Sequence, residues 1–122
     1  MEFFITQNST LPILKMEFDY NGKSSIEDFN SLIENSTIFF SMKEVINGNV
    51  KISNKKGGFT NKIFEEPNAK IEYYLYYKFN LLDTNKVGRY EGEFTLISND
   101  GTFILPIKDR LYINVVENFI RA

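Results

Sequence analysis

The chain contains no cysteine, no histidine and no tryptophan, and only three of its 122 residues are proline. Without cysteine there is no disulfide framework, no thiolate metal site and no thiol nucleophile, which suits folding in a reducing cytoplasm. Without histidine the chain lacks both the side chain best matched to proton transfer near neutral pH and the commonest metal ligand. These absences argue against an enzyme, and no metal and no cofactor are expected. No apolar run approaches the roughly twenty residues a helical membrane span needs, so no membrane partner is expected. The start, MEFFITQNST, has no basic leader and no small-residue cleavage pattern, so no secretory signal is expected either.

What is abundant is aromatic surface: twelve phenylalanines and seven tyrosines, suited to strands, where flat rings pack across a pleated face. The length fits one domain over 1–122 that buries roughly two-thirds of its unfolded surface in a single core. The formal charge of −2 is too small for long-range attraction to nucleic acid, but the charges are uneven. Residues 43–62 hold five lysines against Glu44 alone, whereas residues 1–42 hold two lysines against six acids.

Alternation places most of the strands. Leu14, Met16 and Phe18 alternate with Lys15 and Glu17, predicting a strand over 13–20 that ends at the Asn21-Gly22 turn. Ser25 then reads as the N-cap of a short helix, with Asp28 in its third position and Ile26, Phe29, Leu32 and Ile33 at near-helical spacing. An irregular crossing loop is the other reading of that segment. Ser36–Lys43 predicts a strand that pairs with Asn49–Asn54 through Asn47-Gly48, residues suited to a two-residue type I′ turn. Lys55-Lys56-Gly57-Gly58 reads as an exposed mobile loop, and Phe59–Glu66 as a short edge strand. Ile71–Phe79 is the clearest strand, with Tyr74 and Tyr76 on the face opposite Tyr73, Leu75 and Tyr77. Tyr90, Gly92, Phe94 and Leu96 line one face of the next, Asn99-Asp100-Gly101 turns it back, and Thr102–Ile107 follows, with Pro106 forcing an edge position or a break. Arg110–Val116 closes the sheet. Residues 1–12 read as an inserted arm or a core strand, and 117–122 as a short tail.

The candidate chemistry is thin. Glu91 and Glu93 share a strand face about 7 Å apart, a spacing a glycosidase pair would tolerate, but a solvated polar face explains them. Asn99-Asp100-Gly101 lacks the further acids of a calcium loop, and Gly57-Gly58 lacks the strand-to-helix setting of a phosphate loop. More specific is D-x-x-x-x-G-x-Y-x-G, formed by Asp83, Gly88, Tyr90 and Gly92. In immunoglobulin-like sandwiches a tyrosine near the start of the penultimate strand hydrogen-bonds to upstream backbone, and Tyr90 is placed to reach Leu82 or Asp83. Gly92 stands where an antibody domain has cysteine. The fold expected is all-β: an immunoglobulin-like antiparallel sandwich of about seven strands with one short crossover helix.

From FFSMKEVINGNVKISNK through YYLYYKFNLLDTNKVGRYEGEFTLISNDGTFILPIKDRLYINVV, the last two-thirds of the chain resembles the N-terminal immunoglobulin-like domain of bacteriophage upper baseplate proteins. Gly88, Tyr90, Phe94, Asp100, Gly101, Pro106 and Ile113 carry the pattern. The resemblance implies a virion structural protein, made in the host bacterial cytoplasm, that binds other tail, baseplate or head-tail proteins in a symmetric multi-copy assembly. Tyr74, Tyr76, Lys51, Lys55, Lys56, Phe59 and Lys62 are the expected contact surface. A carbohydrate- or host-surface-binding module using Tyr74 and Tyr76, and a single-stranded nucleic-acid binder using the lysines, are the alternatives; the overall acidity disfavours nucleic acid.

Overall fold

The longest strand buries every second side chain: Tyr90, Gly92, Phe94 and Leu96 face inward while Arg89, Glu93 and Ile97 face water. The structure, a computed structural model, describes residues 1–17, 26–61 and 73–119. In chain order the elements are β1 Glu2–Thr6, β2 Leu14–Met16, α1 Ile26–Glu34, β3 Thr37–Glu44, β4 Val50–Lys56, β5 Gly58–Asn61, β6 Tyr73–Tyr77, β7 Gly88–Ser98, β8 Gly101–Leu105 and β9 Leu111–Val116. The larger sheet runs β1-β9-β7-β3-β4 with β8 also on β7, and the smaller runs β2-β6-β5.

This is an all-β sandwich with one short helix. Its strand order matches a variable-type immunoglobulin-like arrangement: β2, β6 and β5 stand as B, E and D, and β4, β3, β7 and β9 as C′, C, F and G. Helix α1 makes the crossing between the sheets. It is held by Ile33, which is fully buried, and by the Tyr73 hydroxyl, which donates to Glu34 Oε1 at 2.6 Å.

Several local expectations change. Nine strands are present among the described residues, and one pair is parallel: β1 lies beside β9 with Phe3 opposite Ile113 and Ile5 opposite Val115. Residues 2–6 are thus a sheet strand, drawn in because Ile5 is buried and Phe3 packs on Phe79 at 5.9 Å. The last strand is divided because Pro106, which has no N–H to give the ladder, ends β8. Residues 106–110 then bulge out between Leu105, opposite Phe94, and Leu111, opposite Gly92.

The β3–β4 loop is longer than the two-residue turn read from Asn47-Gly48. The Glu44 amide donates to Asn49 O and the Gly48 amide to Glu44 O, so residues 45–48 form the loop and Gly48 alone has positive φ, 74°. Lys55-Lys56-Gly57-Gly58 is not a mobile loop but the crossover from β4 to β5. A Cβ on Gly57 would lie 2.7 Å from the Tyr76 carbonyl oxygen, so the backbones meet there at a distance only glycine permits. The Asn21-Gly22 turn, the Ser25 cap, Lys62 and the outer parts of the strands read over 13–20 and 59–66 lie outside the described residues, as do positions 120–122.

The core is aromatic. Phe40 of β3 stacks on Tyr77 of β6 at 4.7 Å, meets Phe94 at 5.0 Å, and Tyr77 meets Phe79 edge-on at 5.2 Å. Phe40 occupies the strand-C position of an antibody's buried tryptophan, and Gly92 the strand-F position of its cysteine. A methyl added to Gly92 would lie 2.7 Å from Ile113 Cδ1 and 2.9 Å from Phe40 Cζ. Gly92→Ala is therefore expected to cost about 1–3 kcal/mol by overpacking, read as a lower urea midpoint with an unchanged denaturant slope.

Candidate interaction surfaces

Three of the predicted structural residues, Asp83, Gly88 and Tyr90, converge where β6 returns into β7. Asp83 is 2% exposed, and its carboxylate is held from three sides: Tyr77 Oη donates to Oδ2 at 2.7 Å, the Asn80 amide to Oδ2 at 2.9 Å, and Lys55 Nζ reaches Oδ1 at 3.1 Å. Burial, and then the Asp83 carboxylate, push the Tyr77 hydroxyl far above the ordinary tyrosine range. Tyr90 closes the corner, but to a different acceptor from the one read in the sequence. Its hydroxyl donates to Lys86 O at 2.7 Å, four residues upstream, rather than to the backbone of Leu82 or Asp83. Gly88 lies beside this ring, within 3.8 Å of its hydroxyl if given a Cβ. Thr84 ties the corner to the segment after β1, its hydroxyl donating to Ser9 O at 2.8 Å.

The expected contact residues do not form one surface. Lys55 is spent on Asp83, and Lys51 donates to Asn85 Oδ1 at 2.5 Å. Phe59 turns to the core rim, its ring 4.9 Å from that of Tyr73. Tyr74 and Tyr76 share the outer face of the smaller sheet, both half-buried, with the Tyr76 ring lying over Gly58. Lys56 is exposed two residues before that contact. The Asn99-Asp100 turn is as expected, with Ser98 opposite Gly101.

Two apolar surfaces emerge that alternation did not single out. On the outer face of the larger sheet, Phe39, Thr95 and Ile104 form one cross-strand row, and Ile97, half-exposed, lies one row further toward the tip. The other half of that face is polar. Arg89 bonds Glu2 at 2.7 Å and lies 3.9 Å over the Tyr112 ring, and Arg110 bonds Glu91 at 2.6 Å, leaving Glu91 and Glu93 in unlike surroundings. Between the halves the 106–110 excursion overhangs an open cleft of about 460 Å³ lined by Ser41, Lys43, Glu93 and Ile107.

The second surface is the end of the sandwich that carries the corner. Every described loop there exposes a large apolar side chain: Leu11 after β1, Val45 and Ile46 after β3, Leu81, Leu82 and Val87 before β7, and Phe119 after β9. Ile46 is 92% and Leu82 71% exposed. The signal was present in Leu81-Leu82, two leucines that fit neither strand face, but only the topology brings the four loops together.

The corner makes two predictions. Tyr90→Phe should cost about 1 kcal/mol through the lost bond to Lys86 O, and an unchanged melting temperature would contradict the corner. Asp83→Ala should cost about 3 kcal/mol, since it strands a buried hydroxyl and amide, whereas Lys55→Ala should cost less than about 1 kcal/mol because its side chain is 45% exposed. Chemical denaturation of the two variants side by side reads the difference. No family model matches the chain, and no curated protein and no solved structure matches it either.

Proposed function

We propose that this chain is a non-catalytic contact domain of a bacteriophage virion, an immunoglobulin-like adaptor that binds other tail, baseplate or head-tail proteins. The observation that carries the contact role is the apolar loop end. Seven large apolar side chains from four separate loops are exposed together, and a cluster of that kind marks a protein-binding surface more than scattered exposed leucines do. The phage assignment rests on the resemblance of residues 39–55 and 73–116, in which Gly88, Tyr90, Phe94, Asp100, Gly101, Pro106 and Ile113 fall in the expected pattern.

The partners are neighbouring structural proteins present in multiple copies, so weak single contacts sum over a symmetric assembly. Lys78, exposed near the loop end, orients an acidic partner more than it adds affinity. Tyr74 and Tyr76 support a second reading as a sugar platform, because they share an outer sheet face at a spacing of two residues.

Mass spectrometry and cryo-microscopy of purified virions test the first reading. The protein is expected at fixed stoichiometry, with the joint Ile46→Ser and Leu82→Ser variant stably folded yet incorporated at about a tenth of the wild-type level or less. Its absence from virions ends the phage assignment. Specific binding on a glycan array that is lost in Tyr76→Ala favours the second reading instead.

A further inference from the structure

The edges of the larger sheet are treated in opposite ways. At one side β4 is blunted: it carries Lys51, Lys55 and Lys56 and two register shifts against β3, with Asn54 at a φ of 48°. Lysines and bulges are how sheet proteins discourage another strand from pairing. At the other side β8, with the sequence GTFIL, carries no charge, and no strand among the described residues pairs its outer edge.

The orientation of that edge follows from the ladder. The Val45 amide donates to Arg89 O, so the odd residues of β7 turn their backbone groups toward β3 and the even ones toward β8 and β9. Phe94, Leu96 and Ser98 then bond Leu105, Phe103 and Gly101, and the N–H and C=O groups of Thr102 and Ile104 point outward. Both of these residues are exposed. Strand β1 pairs with β9 and not with β8: its register runs from Glu2 opposite Tyr112 to Thr6 opposite Val116, and the Tyr112 amide donates to Met1 O. The sheet is left with a notch one short strand long.

We infer that β8 is a self-pairing edge: a second copy of this chain adds its own β8 antiparallel across a twofold axis at Phe103. Self-complementarity favours this occupant over an unrelated strand. Thr102 of each copy pairs with Ile104 of the other, and an uncharged strand brings no like charges together at the axis. The Asn99-Asp100 turn of each copy comes alongside the 106–110 excursion of the other, setting Asp100 against Lys108. Both are exposed, and neither is ion-paired among the described residues. The product is one continuous sheet running from β4 through β3, β7 and β8 into the second copy, with the Phe39, Ile97 and Ile104 zones of the two copies joined. This inference stands apart from the virion assignment and concerns the purified chain alone.

Sedimentation velocity over a wide concentration range tests it. The wild type is expected to dimerise. Ile104→Lys, at an exposed position outside the core, is expected to weaken the dimer by about tenfold or more while leaving the melting temperature of the monomer close to wild type. Asp100→Lys and Lys108→Asp should each weaken it, and the two together should restore it. Because the chain has no cysteine, the joint Thr102→Cys and Ile104→Cys variant should also form an intermolecular disulfide on mild oxidation that neither single variant forms. A wild type that stays monomeric at every concentration, or a dimer indifferent to Ile104→Lys and to the charge reversals, overturns the inference.

Discussion

The stacking on Tyr77 of the Phe40 ring, seated over Gly92, is the contact on which the joining of the two sheets depends. Phe40 comes from the middle of the larger sheet and reaches Tyr77, the last residue of the central strand of the smaller one, at 4.7 Å. In antibody domains a disulfide and a tryptophan occupy this level of the sandwich. Here glycine at the strand-F position leaves the volume that the phenylalanine takes, so an aromatic stack spans the interior where an antibody domain has a covalent bond. Stacked and edge-on rings contribute beyond their buried area, and a run of them from Phe94 through Phe40 and Tyr77 to Phe79 sustains a core with no covalent staple.

From that stack the corner follows. The Tyr77 ring packs on Phe40 while its hydroxyl ends on Asp83, so one residue joins the apolar core to the buried carboxylate. Asp83 in turn fixes Asn80 and draws in Lys55 from β4 of the other sheet, and Thr84 beside it fastens the segment after β1. The loops at this end are therefore rigidly based even though their tips are apolar and exposed. A surface built this way would lose little conformational entropy on docking, which suits the contact role proposed above.

The polar and apolar halves of the larger sheet's outer face divide the remaining surface in a similar way. The half near β1 satisfies itself through Arg89, Glu2, Tyr112 and Asn114. The half near β8 has Phe39, Ile97 and Ile104 and ends in an open ladder. Exposed apolar side chains thus gather at the loop end and beside β8, while the β4 edge is blunted by its lysines and register shifts.

The sequence by itself determined the all-β class, the faces of β3, β6, β7 and β9 and the existence of a corner at Tyr90, because strand alternation and turn chemistry are local properties, whereas it left the segment of α1 open between a helix and a crossing loop. It did not determine the acceptor of the Tyr90 bond, Lys86 O, since that depends on the path of the loop before β7, nor that the Asp83 carboxylate would be held by Tyr77 and Lys55, residues six and twenty-eight positions away. Nor did it determine that β1 runs parallel to β9, that Gly57 marks a close backbone approach, or that lysines read as a free surface are held by the corner. Each of these depends on which chain segments become neighbours. The two interaction surfaces belong to the same class: Ile46, Leu82 and Phe119 are far apart in the chain and share one end of the sandwich only through the topology, and the outer edge of β8 is unpaired among the described residues while β1 pairs with β9. Periodicity reports which way a side chain faces, and only the assembled sheets report what, if anything, stands opposite it.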